Sequence, residues 1–202
     1  MGKLGAYEEN SIVVGDCLDV MRQMPECVDL VVTSPPYNLY EGSQKTMIYI
    51  EALDTYQGAE KSVFLAGGIT GCPNWQADIV QMLAHTNLAL LNPRRAYFPI
   101  HDPSAARVQI KWEHDRLRQA SAILFWFPYE TICPIVLYEL GAWSMTNKKV
   151  FVGVHPQYQR RQDVEIQTQL VRPEVKIVYS LRGLADQVIE WDSLEISERD
   201  IY

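Results

Sequence analysis

The chain has 202 residues, 48% of them hydrophobic and 21% charged, and a formal net charge of −7 at pH 7. That is the composition of a globular protein with enough apolar surface for a core, in one medium domain or one domain with an appendage. The acidic balance argues against a chain built mainly to hold DNA regardless of sequence, which needs a basic face, and no apolar run approaches the ~20 residues of a membrane span.

Residues 11–14 and 28–33 read as strands, with an amphipathic helix near 17–24 between them. Residues 1–45 are expected as a small strand–helix–strand appendage. Residues 40–60 carry little core pattern, and 46–60 is expected as a linker in which Tyr49, Ile50 and Leu53 fit a short helix. A regular alternation follows. Residues 62–66 form an apolar strand ending in Gly67-Gly68, and 73–85 a helix with Trp75, Ile79, Met82 and Leu83 at helical spacing. Residues 88–91 form a strand leading into Asn92-Pro93-Arg94-Arg95. A polar loop then gives way to a helix over 106–120, and 122–127 is a continuous apolar strand. Pro134 suits the first turn of a helix running to about Ser144. Residues 149–154 and 175–179 are strands, 163–170 and 181–190 helices, and 193–202 a tail.

Strands that are apolar throughout, alternating with helices, predict a parallel sheet covered on both faces. The expected fold is therefore α/β: a doubly wound, Rossmann- or flavodoxin-like sheet of about five strands over 61–192. In such sheets ligands sit outside the carboxyl ends of the strands. That points to Gly67-Gly68, residues 92–95, residues 128–134 and residues 155–163.

The cysteines Cys17, Cys27, Cys72 and Cys133 show no CxxC spacing and no accompanying histidine cluster. We expect reduced thiols, no metal site, no signal peptide and a cytoplasmic location.

Five segments stand at the strand ends and helix starts: VFLAGGITGCPNWQ at 63–76, LNPRR at 91–95, QIKWEHDRL at 109–117, FWFPYETICPIVLYELGAW at 125–143 and VGVHPQYQRRQDVEIQTQL at 152–170. Together and in this order they resemble the nucleoside 2-deoxyribosyltransferase-like family, over nearly all of 61–191. The resemblance implies cleavage of an N-glycosidic bond, or 2-deoxyribosyl transfer, in a nucleoside or nucleotide. A carboxylate attacks the anomeric carbon and forms a glycosyl-enzyme ester. It assigns that nucleophile to Glu139, within Tyr138-Glu139-Leu140-Gly141, with Gly141 letting the helix approach ligand or sheet. A carboxylate in a helix that is apolar nearly all round is costly unless it has a partner or a task.

Glu113 and Asp115 both match the family's Trp-Glu-x-Asp segment, as a second acid that assists the departing base or orients sugar hydroxyls. Two residues apart on a helix, they point to different sides. Ile110, Leu117 and Ala120 lie at i−3, i+4 and i+7 from Glu113, which puts Glu113 on the inward stripe and makes Asp115 the second choice.

Gly67 and Gly68 would let backbone amides approach a ligand, or merely mark a turn. Trp75 fits either a pocket wall or, better, the core stripe. Asn92, Arg94 and Arg95 are candidate substrate ligands, the arginines either for a 5′-phosphate or as a pin for the 96–105 loop. Asp163, with Arg160 and Arg161, has the same two readings. The chain departs from better-known deoxyribosyltransferases in having Phe64 where they carry Tyr, Thr131-Ile132-Cys133-Pro134 where they carry acids, and Ala120-Ser121 for their Ala-Asp. The resemblance implies no metal or organic cofactor, a small-molecule nucleoside or nucleotide partner, and a homo-oligomer.

A second resemblance rests on residues 11–39, SIVVGDCLDVMRQMPECVDLVVTSPPYNL. This run resembles the start of the DNA methyltransferases that methylate adenine N6 or cytosine N4. In them the Ser-Pro-Pro-Tyr loop, here Ser34, Pro35, Pro36 and Tyr37, receives a base swung out of the duplex. Such an enzyme also needs an S-adenosylmethionine loop like Asp-Pro-Phe-x-Gly-x-Gly. The nearest string, Phe64-Leu65-Ala66-Gly67-Gly68, lacks the Asp-Pro. The alternatives to glycosyl transfer are thus a methyltransferase using S-adenosylmethionine or its DNA-binding remnant, and a non-catalytic nucleotide sensor. DNA is a less favoured partner.

Overall fold

A computed structural model describes residues 3–4, 7–8, 46–99 and 101–199. The chain divides into two units, Met1–Ser43 and Gln44–Tyr202. In the first, β1 (Lys3–Leu4) and β2 (Tyr7–Glu8) pair antiparallel, Lys3 opposite Glu8 and Leu4 opposite Tyr7. The strands expected at 11–14 and 28–33, the helix near 17–24 and the Ser34–Tyr37 motif lie outside the described residues.

The second unit carries a six-stranded parallel sheet. Its strands are β3 (Ile48–Glu51), β4 (Ser62–Gly67), β5 (Ala89–Asn92), β6 (Ala122–Phe127), β7 (Lys149–Val154) and β8 (Ile177–Val178), in spatial order β3-β5-β4-β6-β7-β8. Between them run α1 (Trp75–Met82), α2 (Pro103–Gln119), α3 (Pro134–Ser144) and α4 (Arg161–Val171), and α5 (Leu181–Arg199) follows β8. The doubly wound α/β expectation holds, with one strand more than expected.

The extra strand is β3. Residues 48–51 are extended, not helical, and pair in register with β5, Ile48 opposite Ala89 through Glu51 opposite Asn92. The stretch expected as a linker thus supplies the sheet edge. Its Ile–Tyr–Ile run suits a strand, and Leu53, just beyond, has φ 77°, a conformation no helix contains. At the other end α5 extends past 192 to Arg199.

Alternation along the strands sends side chains to two separate cores. Phe64 and Ala66 pack with Trp112 and Leu117 of α2, Val136 and Leu140 of α3, and Val164 of α4. Val63 and Leu65 pack with Trp75 and Ile79 of α1 and Leu184 and Val188 of α5. Strands β4 and β6 are buried along their whole length, which is why they read as unbroken apolar runs. Burial of each large side chain contributes about 1.5–3 kcal/mol.

The strand order reverses at β4. β5 lies on one edge of β4, and the chain then crosses back to place β6 on the other. Loops leaving β4 and β6 at their carboxyl ends therefore diverge to opposite faces and leave a crevice between them. Truncating the wholly buried Phe125 of β6, Phe125→Ala, is expected to lower the unfolding free energy by about 3–5 kcal/mol in urea melts.

Candidate active site

The crevice is a cavity of about 270 Å³. Phe64, Ala66 and Gly67 of β4 and the following Gly68, Ile69 and Thr70 line one side. Pro93 follows β5, Glu113 comes from α2, and Thr131 and Cys133 through Val136 lead to Glu139 on α3. Two acids selected from the sequence, Glu113 and Glu139, therefore meet in one cavity, and Gly67 and Gly68 share it.

Glu139 is half-buried, with Phe64, Ala66 and Val136 among its cavity neighbours. Burial pushes its carboxyl up to about 7, and the negative charge of Glu113 adds to the rise. Glu113 is half-buried too. Burial raises its carboxyl, against the opposing pull of a 2.8 Å hydrogen bond donated by the Gln109 side-chain amide. Asp115 is elsewhere. It is exposed, ion-paired with Lys111 at 2.7 Å, and held below the usual carboxylate range by that hydrogen bond. Glu113 thus lines the cavity and Asp115 does not, although Ile110, expected on the inward stripe with Glu113, is exposed and Trp112 is buried.

The glycines act by close approach. A Cβ on Gly67 would sit 2.3 Å from the Trp75 ring and 2.6 Å from the Trp126 carbonyl oxygen. A Cβ on Gly68 would come within 2.9 Å of the Cys133 sulfur and of the Thr131 methyl, and within 2.8 Å of Pro128. The loops after β4 and β6 can close on each other only if residue 68 has no side chain. Gly141 has no such role, for a Cβ there meets nothing within 4 Å. Trp75 is a core residue whose indole N–H donates to the Gly68 carbonyl at 2.8 Å.

The remaining polar candidates build the frame. Asn92 is buried, donates to the Tyr49 hydroxyl at 2.8 Å and accepts from the Arg94 backbone N–H at 2.9 Å, tying β5 to β3. The Arg94 guanidinium donates to the carbonyls of Ile69 and, at 3.1 Å, Cys72. It pins the 69–72 loop at the cavity wall, not the 96–105 loop. Arg95 lies over the Phe98 ring at 5.7 Å and so does contact that long loop. Asp163 pairs with Arg160 at 2.9 Å and is exposed at the start of α4, outside the cavity.

The sequence marked the loop holding Cys133 but not the conformation of that residue, and it did not mark Gln109. Cys133 precedes α3 with φ 51°, in the left-handed region. Its thiol lies 3.4 Å from the Thr131 carbonyl, and burial pushes it up to about 12. Nothing in a Thr-Ile-Cys-Pro string announces that backbone. Gln109 was visible in principle, because it stands four residues before Glu113, on the same helix face.

A carboxyl raised in the folded state holds its proton more tightly there than in the unfolded chain. Its contribution to stability is then complete below the ordinary carboxylate range and is lost as pH rises toward 7. Glu139→Gln removes that loss. The variant is expected to be more stable than wild type by about 2–3 kcal/mol at pH 8, with the difference vanishing near pH 4, as read by urea unfolding at both.

Comparison with known proteins adds two findings. The chain is 37% identical over 68 residues to the Type II methyltransferase M.ScaI of Streptomyces caespitosus, a match that takes in 31% of this chain and 22% of that relative. This chain thus spans about a fifth of that protein's length. Residues 60–158, from the approach to β4 to the loop before α4, match the family model described as nucleoside 2-deoxyribosyltransferase like. Every cavity-lining residue falls within that span, so the part of this chain that builds the cavity is similar to that nucleoside 2-deoxyribosyltransferase-like family.

Proposed function

We propose that this domain breaks the N-glycosidic bond of a nucleoside or nucleotide through Glu139, passing the 2-deoxyribosyl group to water or to a second base. The observation that carries the reading is a carboxylate without a cationic partner among the described residues, desolvated in a cavity at the strand-order reversal, with a second carboxylate facing the same space. In its ionised form Glu139 attacks the anomeric carbon. The carbon–nitrogen bond breaks, its electron pair leaves with the base, and the base takes a proton from water. Water or another base then attacks the same carbon and releases the Glu139 carboxylate. Glu113 orients the sugar or stabilises the positive charge that develops on it. As written, the reaction uses no metal or organic cofactor.

The substrate-facing departures fit altered base recognition. Phe64 gives the cavity an apolar wall where relatives offer a phenol, and Thr131 and Cys133 occupy the loop where relatives place acids. Arg94 gives its guanidinium to the carbonyls of the 69–72 loop. Helix α3 leaves Ile135, Tyr138 and Met145 exposed, the side on which a second copy would pack in a homo-oligomer.

The match to M.ScaI favours methyl transfer from S-adenosylmethionine as a second reading. Under it Tyr37 stacks on an extruded base. A nucleotide sensor is the non-catalytic alternative.

Incubation with deoxynucleosides and deoxynucleotides, followed by chromatography of free base, separates the three. Base release is expected, falling about 10⁴-fold in Glu139→Ala. Tight nucleotide binding with no release would favour the sensor. Methyl transfer from S-adenosylmethionine to DNA would replace both. Because Glu139 must be ionised to attack, kcat/KM is expected to rise with pH through about 7 and then level off.

A further inference from the structure

We propose that Gln109 is a positioning residue that keeps Glu113 the ionised member of the carboxylate pair, so that Glu113 accepts a hydrogen bond from a sugar hydroxyl while the proton the pair shares in the free enzyme resides on Glu139. The ionisation order stands on the geometry alone. The hydroxyl-accepting role rests on the glycosidic reading above.

Gln109 is a buried side chain on α2, one helical turn before Glu113. Its amide nitrogen donates to the Pro93 carbonyl at 2.8 Å and to a Glu113 carboxylate oxygen at 2.8 Å. The Pro93 carbonyl can only accept, which fixes which end of the amide faces it. The amide nitrogen is therefore locked in place with its second N–H on Glu113. Rotating the amide by half a turn would set its oxygen against two acceptors. The oxygen is left buried without a partner, a cost that the two donated bonds must offset.

A fixed donor favours the charged form of the carboxylate that it touches. Glu113 has such a donor; Glu139 has none among the described residues. The other titratable groups around the cavity do not reverse this. Arg94, after β5, gives its guanidinium to the Ile69 and Cys72 carbonyls. Cys133, before α3, is a neutral thiol buried against Thr131. Cys72 of the β4–α1 loop and Glu130 of the β6–α3 loop bear on the thiols, and neither is a cation. The charge that bears on Glu139 is that of Glu113. An ionised Glu113 has no proton to give a leaving base, but it suits a hydroxyl donor.

The test titrates the side-chain carboxyls by NMR in the full chain labelled with carboxyl-¹³C glutamate, with Glu113→Gln and Glu139→Gln identifying the two signals. The signal lost in Glu139→Gln is expected to titrate at the higher pH. In Gln109→Met, of similar volume but with no donor, the Glu113 signal is expected to move up. Because the Glu139 step near 7 still sets the acid limb, kcat/KM is expected to fall modestly at pH 6, about twofold, and to be nearly unchanged at pH 9, where both acids are ionised in either protein. A wild-type Glu113 that titrates above Glu139 overturns the proposal, even where Gln109→Met does not fold. So does a Gln109→Met variant whose two titrations are unchanged, or whose activity falls equally at every pH. If the ionisation order is found and no substrate releases base, the order stands and the glycosidic reading falls.

Discussion

Parallel pairing of β4 with β6, while β5 holds the opposite edge of β4, is the constraint from which the rest of this domain follows. Parallel neighbours need a crossover, and successive crossovers in opposite directions put α1 and α2 on opposite faces of the sheet. The two loops that part company there are drawn back together by the absence of a side chain at Gly68. Helix α3 starts from the second of those loops, and α2 passes alongside. The acids they bring, Glu113 and Glu139, have no sequence proximity and meet only because of the strand order.

Electrostatics then divides the labour. Two carboxyls among apolar walls cannot both ionise cheaply, and no cation among the described residues pairs with them. Arg94, which follows β5, gives its guanidinium to backbone carbonyls. Burial and the Glu113 charge hold the Glu139 carboxyl up to about 7, and one locked amide donor distinguishes Glu113 from it. Such an arrangement lowers stability locally, and the two apolar cores on either side of the sheet make it tolerable.

Much of this could be read from the residues, because the physics that wrote them is local. Strands β6 and β7 were legible to their end residues: a fully covered strand must be apolar, and the turns flanking these two are polar. The stripe on α2 was legible only in part: Leu117 and Ala120 are buried as expected, whereas Ile110 is exposed and Trp112 is buried. Strand β3 was not legible, since a four-residue edge strand half open to solvent offers only the short Ile48-Tyr49-Ile50 run, and its partner β5 lies some forty residues on. The duties of Arg94, Asn92 and Trp75 were equally hidden. Each satisfies backbone or side-chain groups distant in the chain, so residue type alone left ligand and frame indistinguishable. Gly141 misled because glycine in a helix suggests close approach, whereas here it faces open space.

The strand order also sets when the site can come into being. β4 and β6 are separated by an entire crossover through β5 and α2, so their pairing closes a long loop before any contact rewards it. Parallel sheets of this kind fold slowly for that reason. A nascent chain that has made only β4, α1 and β5 holds the glycine wall and neither acid. Glu113 arrives with α2, and Glu139 after β6 has docked. The proximity of the two carboxyls thus requires β4, β6, α2 and α3 together, whereas β7, α4, β8 and α5 follow in the chain and line none of the cavity.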